Sequence, residues 1–172
     1  DQGTTSSRAI LFTLKGKPIY SSQKEFTQYF PKSGWVEHNP EEIWKTTVKT
    51  LKEVIEKAKK LNGKILSIGI TNQRETTVLW DKKNGKTVYN AIVWQDRRQE
   101  DFCKKLRKQN KENMIFNKTG LLIDSYFSGT KIKWILDNVP KAKRLMNKKQ
   151  LLFGTIDSFL IWRLTRGAVH AT

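Results

Sequence analysis

The sequence opens on Asp1-Gln2-Gly3-Thr4-Thr5-Ser6-Ser7-Arg8, which holds a carboxylate, a glycine, four consecutive hydroxyl side chains and a guanidinium. Glycine lets a backbone approach a phosphate closely, and Thr and Ser hydroxyls and N–H groups then donate to its oxygens. An aspartate beside such a turn could hold Mg²⁺ through water, and Arg8 could stabilise charge on a transferred group. A solvated turn would have the same composition. RAILFTL (8–14) follows and reads as strand, so this is not a Walker-type loop, and no GxxxxGK[ST] pattern occurs.

A second group, Thr71-Asn72-Gln73-Arg74-Glu75-Thr76, follows the Ile-rich run KILSIGIT (64–71). Polar residues at the end of a sheet strand sit where α/β proteins bind ligands. Arg74 offers donors and Glu75 acceptors, a pair able to hold the adjacent hydroxyls of a polyol, or equally an ordinary surface ion pair. Trp94, in the strand-end stretch Trp94-Gln95-Asp96-Arg97-Arg98, could pack an indole face on a polyol's carbon skeleton or sit in the core. The Tyr126 phenol could bond a ligand hydroxyl or pack. His38 and His170 are isolated and read as loop or surface residues. Cys103 reads as a half-buried small hydrophobe on a helix.

These groups need elements to position them. Residues 8–14 and 18–27 flank KGK and predict a β-hairpin. Two prolines and a glycine mark 29–40 as loop. Residues 40–61 carry apolar side chains at helical spacing. Asn39 serves as N-cap, Pro40 suits the first helical position, and Glu41 and Glu42 complement the helix start. Lys57, Lys59 and Lys60 fill the last turn before the C-cap Asn62-Gly63. KILSIGIT predicts a buried strand, and 76–81 with 87–94 a second hairpin around KKNG. A helix follows Gln95, with Phe102, Cys103 and Leu106 on one face. Further helices are predicted over 128–139, with Ser128 as cap, and 155–165, capped by Thr155, with a short strand over 151–154. Alternating strands and helices predict an α/β domain with a mixed sheet.

The chain has 172 residues, 37% hydrophobic and 28% charged, enough apolar material for a core. A single cysteine excludes a disulfide framework. No window approaches a membrane span, and the polar start shows no signal peptide. The net charge of +17 invites a nucleic-acid reading. The excess is scattered lysine, with only 8 arginines among 33 basic residues. Base readout favours arginine, so a lysine-rich solvated surface is the simpler account.

Taken in order, DQGTTSSRA, SGWVEHNPEEIW (33–44), GITNQRETTVLWD (69–81), YNAIVWQDRR (89–98), YFSGTKIKWILD (126–137) and LLFGTIDSFLIWRLT (151–165) closely resemble the FGGY family of carbohydrate kinases. NQRETT and NAIVWQDRR resemble its glycerol-phosphorylating members more than its sugar-directed ones. The resemblance implies a ribonuclease H-like, actin-like ATPase fold with two such domains around a cleft. Residues 1–172 would be most of the first domain, cut at both ends, with the first strand ending at Asp1 and the nucleotide domain absent. It implies transfer of phosphate from ATP to glycerol, giving sn-glycerol 3-phosphate, with Mg²⁺, in a cytoplasmic and homo-oligomeric parent enzyme. This stretch alone would be inactive.

Residue by residue, the resemblance makes Thr4, Thr5 and Ser6 the loop that meets the γ-phosphate. Asp1 would help organise Mg²⁺, and Arg8 would contact the phosphoryl or ADP side. Arg74, Glu75 and Tyr126 would hydrogen-bond glycerol, with Trp94 packing on its carbons. The family's base aspartate lies beyond residue 172, and none of Asp96, Asp101, Asp124, Asp137 or Asp157 matches its motif. Ser125 stands where the family commonly has proline, which loosens the Tyr126 loop. The competing readings are a kinase for another polyol, a basic nucleic-acid-binding module with steep salt dependence, and a remnant unable to fold because a strand neighbour lacks its partner.

Overall fold

The computed structural model describes residues 1–171. The first hairpin forms as predicted: β1 (Ser6–Phe12) pairs antiparallel with β2 (Pro18–Glu25), Arg8 opposite Gln23 and Leu11 opposite Tyr20. The chain start extends it, because the Asp1 and Gln2 backbone bridges to Ser7 and Arg8. Gly3 to Ser6 is therefore the turn of a second tight hairpin, closed by the Gly3 N–H on the Ser6 carbonyl at 3.0 Å.

Helix α1 (Pro40–Lys60) lies across β1 and β2. The Asn39 side chain accepts the Glu41 N–H at 2.9 Å, and acidic first-turn and basic last-turn residues complement the helix dipole. Asn62 adopts φ 53° and the Gly63 N–H returns to the Ala58 carbonyl at 2.9 Å, ending the helix. Ile43, Thr47, Thr50, Val54 and Ala58 form the buried stripe.

The predicted loop over 29–40 is more ordered than its prolines suggest. Strand β3 (Gln28–Tyr29) pairs antiparallel with β4 (Glu37–His38), which pairs with β6 (Ala91–Ile92). His38, predicted at the surface, is fully buried. Two-residue strands are too short to show alternation, so the sequence gives no warning. Strand β5 (Val78–Asp81) pairs with β7 (Leu151–Gly154). The second predicted hairpin persists as backbone bonds, with Thr77 N–H to Ile92 O and Val88 N–H to Leu79 O both at 3.0 Å.

Helices α2 (Glu100–Lys108), α4 (Ser128–Asn138) and α6 (Ile156–Leu164) match expectation. Cys103 is fully buried rather than half-buried, and burial pushes its thiol pKa up. Ser128 is the first helical residue, with Phe127 at the cap position, and its side chain is used elsewhere. Thr155 is the cap residue of α6, but its hydroxyl donates to the Asp157 carboxylate and accepts no backbone N–H. Helices α3 (Glu112–Thr119) and α5 (Pro140–Asn147) were not predicted; α3 buries none of its residues, so no apolar stripe announces it.

The largest departure is 64–71. Ile65, Leu66 and Ile68 are 37%, 65% and 57% exposed, and the segment is in no strand. Among the described residues its one ladder-like contact is the Thr71 carbonyl, which accepts the Gln2 N–H at 3.0 Å. Ile-rich composition predicts a strand, but a strand exists only when a neighbour supplies its hydrogen bonds. Every strand pair among the described residues is antiparallel, so the expected mixed sheet is not seen in the pairing itself.

The main core joins Trp80, Phe159, Ile43, Ile156, Leu160 and Trp162, with Trp80 edge-on to Phe159 at 5.4 Å. Leu79, Ile92, Ile135 and Ala142 form a second cluster under α4 and α5. Gly154 is a tight point, where an added Cβ would lie 2.5 Å from the Ser158 Cβ and 3.4 Å from the Trp80 ring. Gly154→Ala is expected to lower stability by about 1–3 kcal/mol through overpacking; an unchanged urea midpoint would refute this.

Candidate functional site

The Gly3–Ser6 turn presents donors. The Thr4 and Thr5 N–H groups make no hydrogen bond among the described residues, and Thr5 is exposed. Free N–H groups at a turn tip beside hydroxyls form an anion-binding concavity. Ser6 contributes least, because it is buried in β1 and its hydroxyl accepts the Gln23 amide at 2.9 Å. Gln28 braces the turn from below, its amide donating to the Thr4 carbonyl at 3.0 Å while its carbonyl oxygen meets His38 Nε2 at 2.7 Å. Arg8 pairs with Asp1 at 2.6 Å, and the Thr71 hydroxyl donates to the other Asp1 oxygen at 3.1 Å.

Residues 73–76 dock against this turn. The Gln73 amide donates to the Gly3 carbonyl at 3.2 Å, and the Thr76 hydroxyl donates to Gln73 Oε1 at 3.0 Å and accepts the Trp94 N–H at 3.3 Å. Glu75 stands at φ 67°, a left-handed backbone that a non-glycine residue adopts only where its surroundings impose it. Its carboxylate oxygen Oε2 accepts the Ser128 N–H at 2.9 Å and the Ser128 hydroxyl at 2.8 Å. The other oxygen, Oε1, accepts no hydrogen bond among the described residues. Arg74 is exposed and forms no ion pair among the described residues.

Trp94 closes the group. Its indole N–H donates to the Thr4 hydroxyl at 3.1 Å, and its ring stands edge-on to Tyr126 at 6.1 Å. The Tyr126 hydroxyl forms no hydrogen bond among the described residues. Its N–H is held by Asp124 at 2.7 Å, which fixes the loop despite Ser125. The turn displaying Trp94 rests on a buried ion cluster. Arg98 meets Glu37 and Asp96 at 2.8 Å each, against the rings of Trp35 and Trp134.

All nine residues singled out in the sequence lie in or beside this constellation, with Ser6 and Arg8 already engaged by neighbours. Gln73, Thr76, Ser128 and Lys131 were missed. Lys131 carried a readable signal, since it lies four residues before the inward Ile135 and so shares its buried face. Burial pushes its ammonium pKa down to about 8, against the opposing pull of Glu75, Asp96 and Asp124. The aspartates left unassigned are in use: Asp96 with Arg98, Asp101 with Lys104, Asp124 with Arg97, Asp137 with Lys133 and Asp157 with Thr155. No cluster of three or more metal-ligating side chains occurs among the described residues, and no helix there is long and apolar enough to cross a membrane.

The strand-and-helix scaffold is that of a carbohydrate kinase domain of the actin-like ATPase fold. The family model for the FGGY family of carbohydrate kinases, N-terminal domain, matches residues 1–172, and the chain belongs to this family. Over all 172 residues it is 59% identical to a glycerol kinase of Alkaliphilus metalliredigens and 57% to one of Bacillus subtilis. It spans 34% and 35% of their lengths, about a third of the relatives it matches. The crystal structure of Plasmodium falciparum glycerol kinase with ADP superposes with a TM-score of 0.92 at 36% identity, covering 95% of this chain and 33% of that one. Gluconate kinase from Lactobacillus acidophilus, at 21% identity and a TM-score of 0.77, shares the fold.

Proposed function

We propose that this chain supplies the phosphate loop and most of the polyol site of an ATP-dependent kinase that converts glycerol to sn-glycerol 3-phosphate. The observation carrying this reading is the Trp94 indole N–H on the Thr4 hydroxyl at 3.1 Å, which joins the phosphate-binding turn to the polyol wall. A donor of phosphate and an acceptor hydroxyl held on the two sides of that bond would be neighbours, and phosphoryl transfer depends on such positioning. The relatives named as glycerol kinases, and the neighbour solved with ADP, support glycerol and ATP as the substrates.

The residue roles follow from the free groups. Thr4 and Thr5 offer N–H and hydroxyl donors to the γ-phosphate, with Ser6 shaping the turn and Arg8 beside it. Arg74, Glu75 Oε1 and the Tyr126 hydroxyl take the glycerol hydroxyls, and the Trp94 face takes its carbons. The acceptor proton leaves to a base outside this chain. Asp1 would reach Mg²⁺ only through water, because Arg8 and Thr71 already occupy its two carboxylate oxygens while its side chain stays 37% exposed. Bound there, the cation would neutralise phosphate charge. Residues 1–172 then form the N-terminal domain of a longer cytoplasmic, homo-oligomeric enzyme.

The test is glycerol-dependent ADP release by the full-length protein. Glu75→Ala and Arg74→Ala are each expected to lower kcat/KM for glycerol about 10- to 100-fold. Wild-type turnover that prefers another polyol would move the substrate assignment. Variants that match wild type would remove these residues from the site.

A further inference from the structure

Lys131 is the least expected side chain near the site. It is 1% exposed, although lysine is almost never fully buried without a partner. No carboxylate oxygen lies within ion-pair distance of its ammonium among the described residues. Among the described residues its two acceptors are backbone carbonyls, that of Glu75 at 3.0 Å and that of Tyr126. Those carbonyls are 51 residues apart in sequence and belong to two proposed glycerol ligands.

The chemistry of this choice is specific. A lysine that needed only solvation would snorkel to the surface. One that served charge balance would meet a carboxylate, and the Glu75 carboxylate is instead taken by the Ser128 N–H and hydroxyl. Glu75 is thereby held at both ends, its carboxylate by Ser128 and its carbonyl by Lys131. The carbonyl hold bears on the backbone at φ 67°, where strain must be offset by surrounding contacts. The same ammonium sits 5.8 Å from the Tyr126 ring centroid, so it lies over that residue's ring as well as on its carbonyl.

We infer that Lys131 is a positioning residue of the polyol site: its ammonium ties the Glu75 and Tyr126 backbones into one unit, so that the Glu75 carboxylate and the Tyr126 phenol keep a fixed separation. The inference rests on the proposed polyol site. It touches no substrate and acts through the two ligands it spans. Loss of the tie relaxes Glu75 toward ordinary backbone and frees the Tyr126 loop. Glycerol binding suffers, while the phosphate turn, clamped by Gln73, Gln28 and Trp94, does not.

The experiment uses the full-length protein with Lys131→Met, which keeps length and removes the donors, and Lys131→Gln, which keeps two N–H donors without the charge. For Lys131→Met the KM for glycerol is expected to rise about 10- to 100-fold with the KM for ATP within about twofold. Lys131→Gln should recover part of the loss. Hydrogen–deuterium exchange provides a readout independent of turnover: peptides covering 73–78 and 124–130 should both exchange faster in Lys131→Met, with those covering 1–8 unchanged. An unaltered KM for glycerol in a folded variant overturns the inference. So does an equal rise in both KM values, or faster exchange in only one of the two segments. If Lys131→Met does not fold, Lys131→Gln carries the same test, with the same split between the two KM values expected. A wild-type protein without glycerol turnover, with the two segments still loosening together in Lys131→Met, would count against the substrate and leave the tie standing.

Discussion

Arg98→Met is expected to lower the unfolding free energy by about 3–5 kcal/mol. The Arg98 side chain is 1% exposed, and its partners Glu37 and Asp96 are 3% and 1% exposed. Removing the guanidinium leaves two carboxylates in the interior, Glu37 with one fewer donor and Asp96 with two fewer. Tyr89 and Asn90 would still serve Glu37, and the Val36 N–H would still serve Asp96, but none of these carries charge. Methionine fills the space between Trp35 and Trp134 reasonably well, so the loss reports electrostatics more than a cavity. Arg98→Lys should fall between, because an ammonium cannot reproduce the fork that takes both Asp96 oxygens at 2.8 and 2.9 Å. Urea unfolding of the three proteins measures this, and a loss below about 1 kcal/mol for Arg98→Met would show that the carboxylates find adequate partners without it.

The second large effect concerns acid. His38 is fully buried, edge-on to Phe26 at 5.0 Å, and its Nδ1 has no partner among the described residues. A second proton would be placed on that orphaned atom. Burial therefore pushes its pKa from 6.5 down to about 4, with Glu42 opposing weakly. Between these values the unfolded chain binds a proton that the folded chain refuses. The contribution to stability is complete above pH 6.5 and is lost as pH falls through 6.5 toward 4, reaching about 3 kcal/mol. Unfolding free energies at pH 7, 5.5 and 4.5 should show a steeper decline for wild type than for His38→Gln. Parallel declines would mean that His38 accepts its proton without strain.

His38 also shows where sequence reading stops. Its neighbours give no alternation because β4 is two residues long and is held by partners far away in sequence. Helix α1 was legible for the opposite reason: cap, dipole charges and apolar stripe all lie within one local window. The site residues were legible by type, since glycine, hydroxyl, guanidinium and indole groups announce chemistry wherever they fold. What braces them was not. Gln73, Gln28 and Ser128 act through hydrogen bonds set by tertiary approach, which no spacing reveals. Residues 64–71 failed in the other direction, because composition fixes a preference for strand and only a neighbouring backbone can satisfy it.

The contact of Thr4 with Trp94 spans 90 residues, that of Gly3 with Gln73 spans 70, and that of Glu75 with Ser128 spans 53. A ribosome adding 5–20 residues per second needs about 6–25 s to advance from Thr4 to Ser128. Through that interval the first hairpin and α1 can form from local contacts, and the Gly3–Ser6 turn gains its clamps one after another as Gln28, Gln73 and Trp94 emerge. The binding face is thus a late product of synthesis, finished only when α4 emerges, and a chain halted before residue 128 would hold the clamped turn while Glu75 lacked its Ser128 and Lys131 holds.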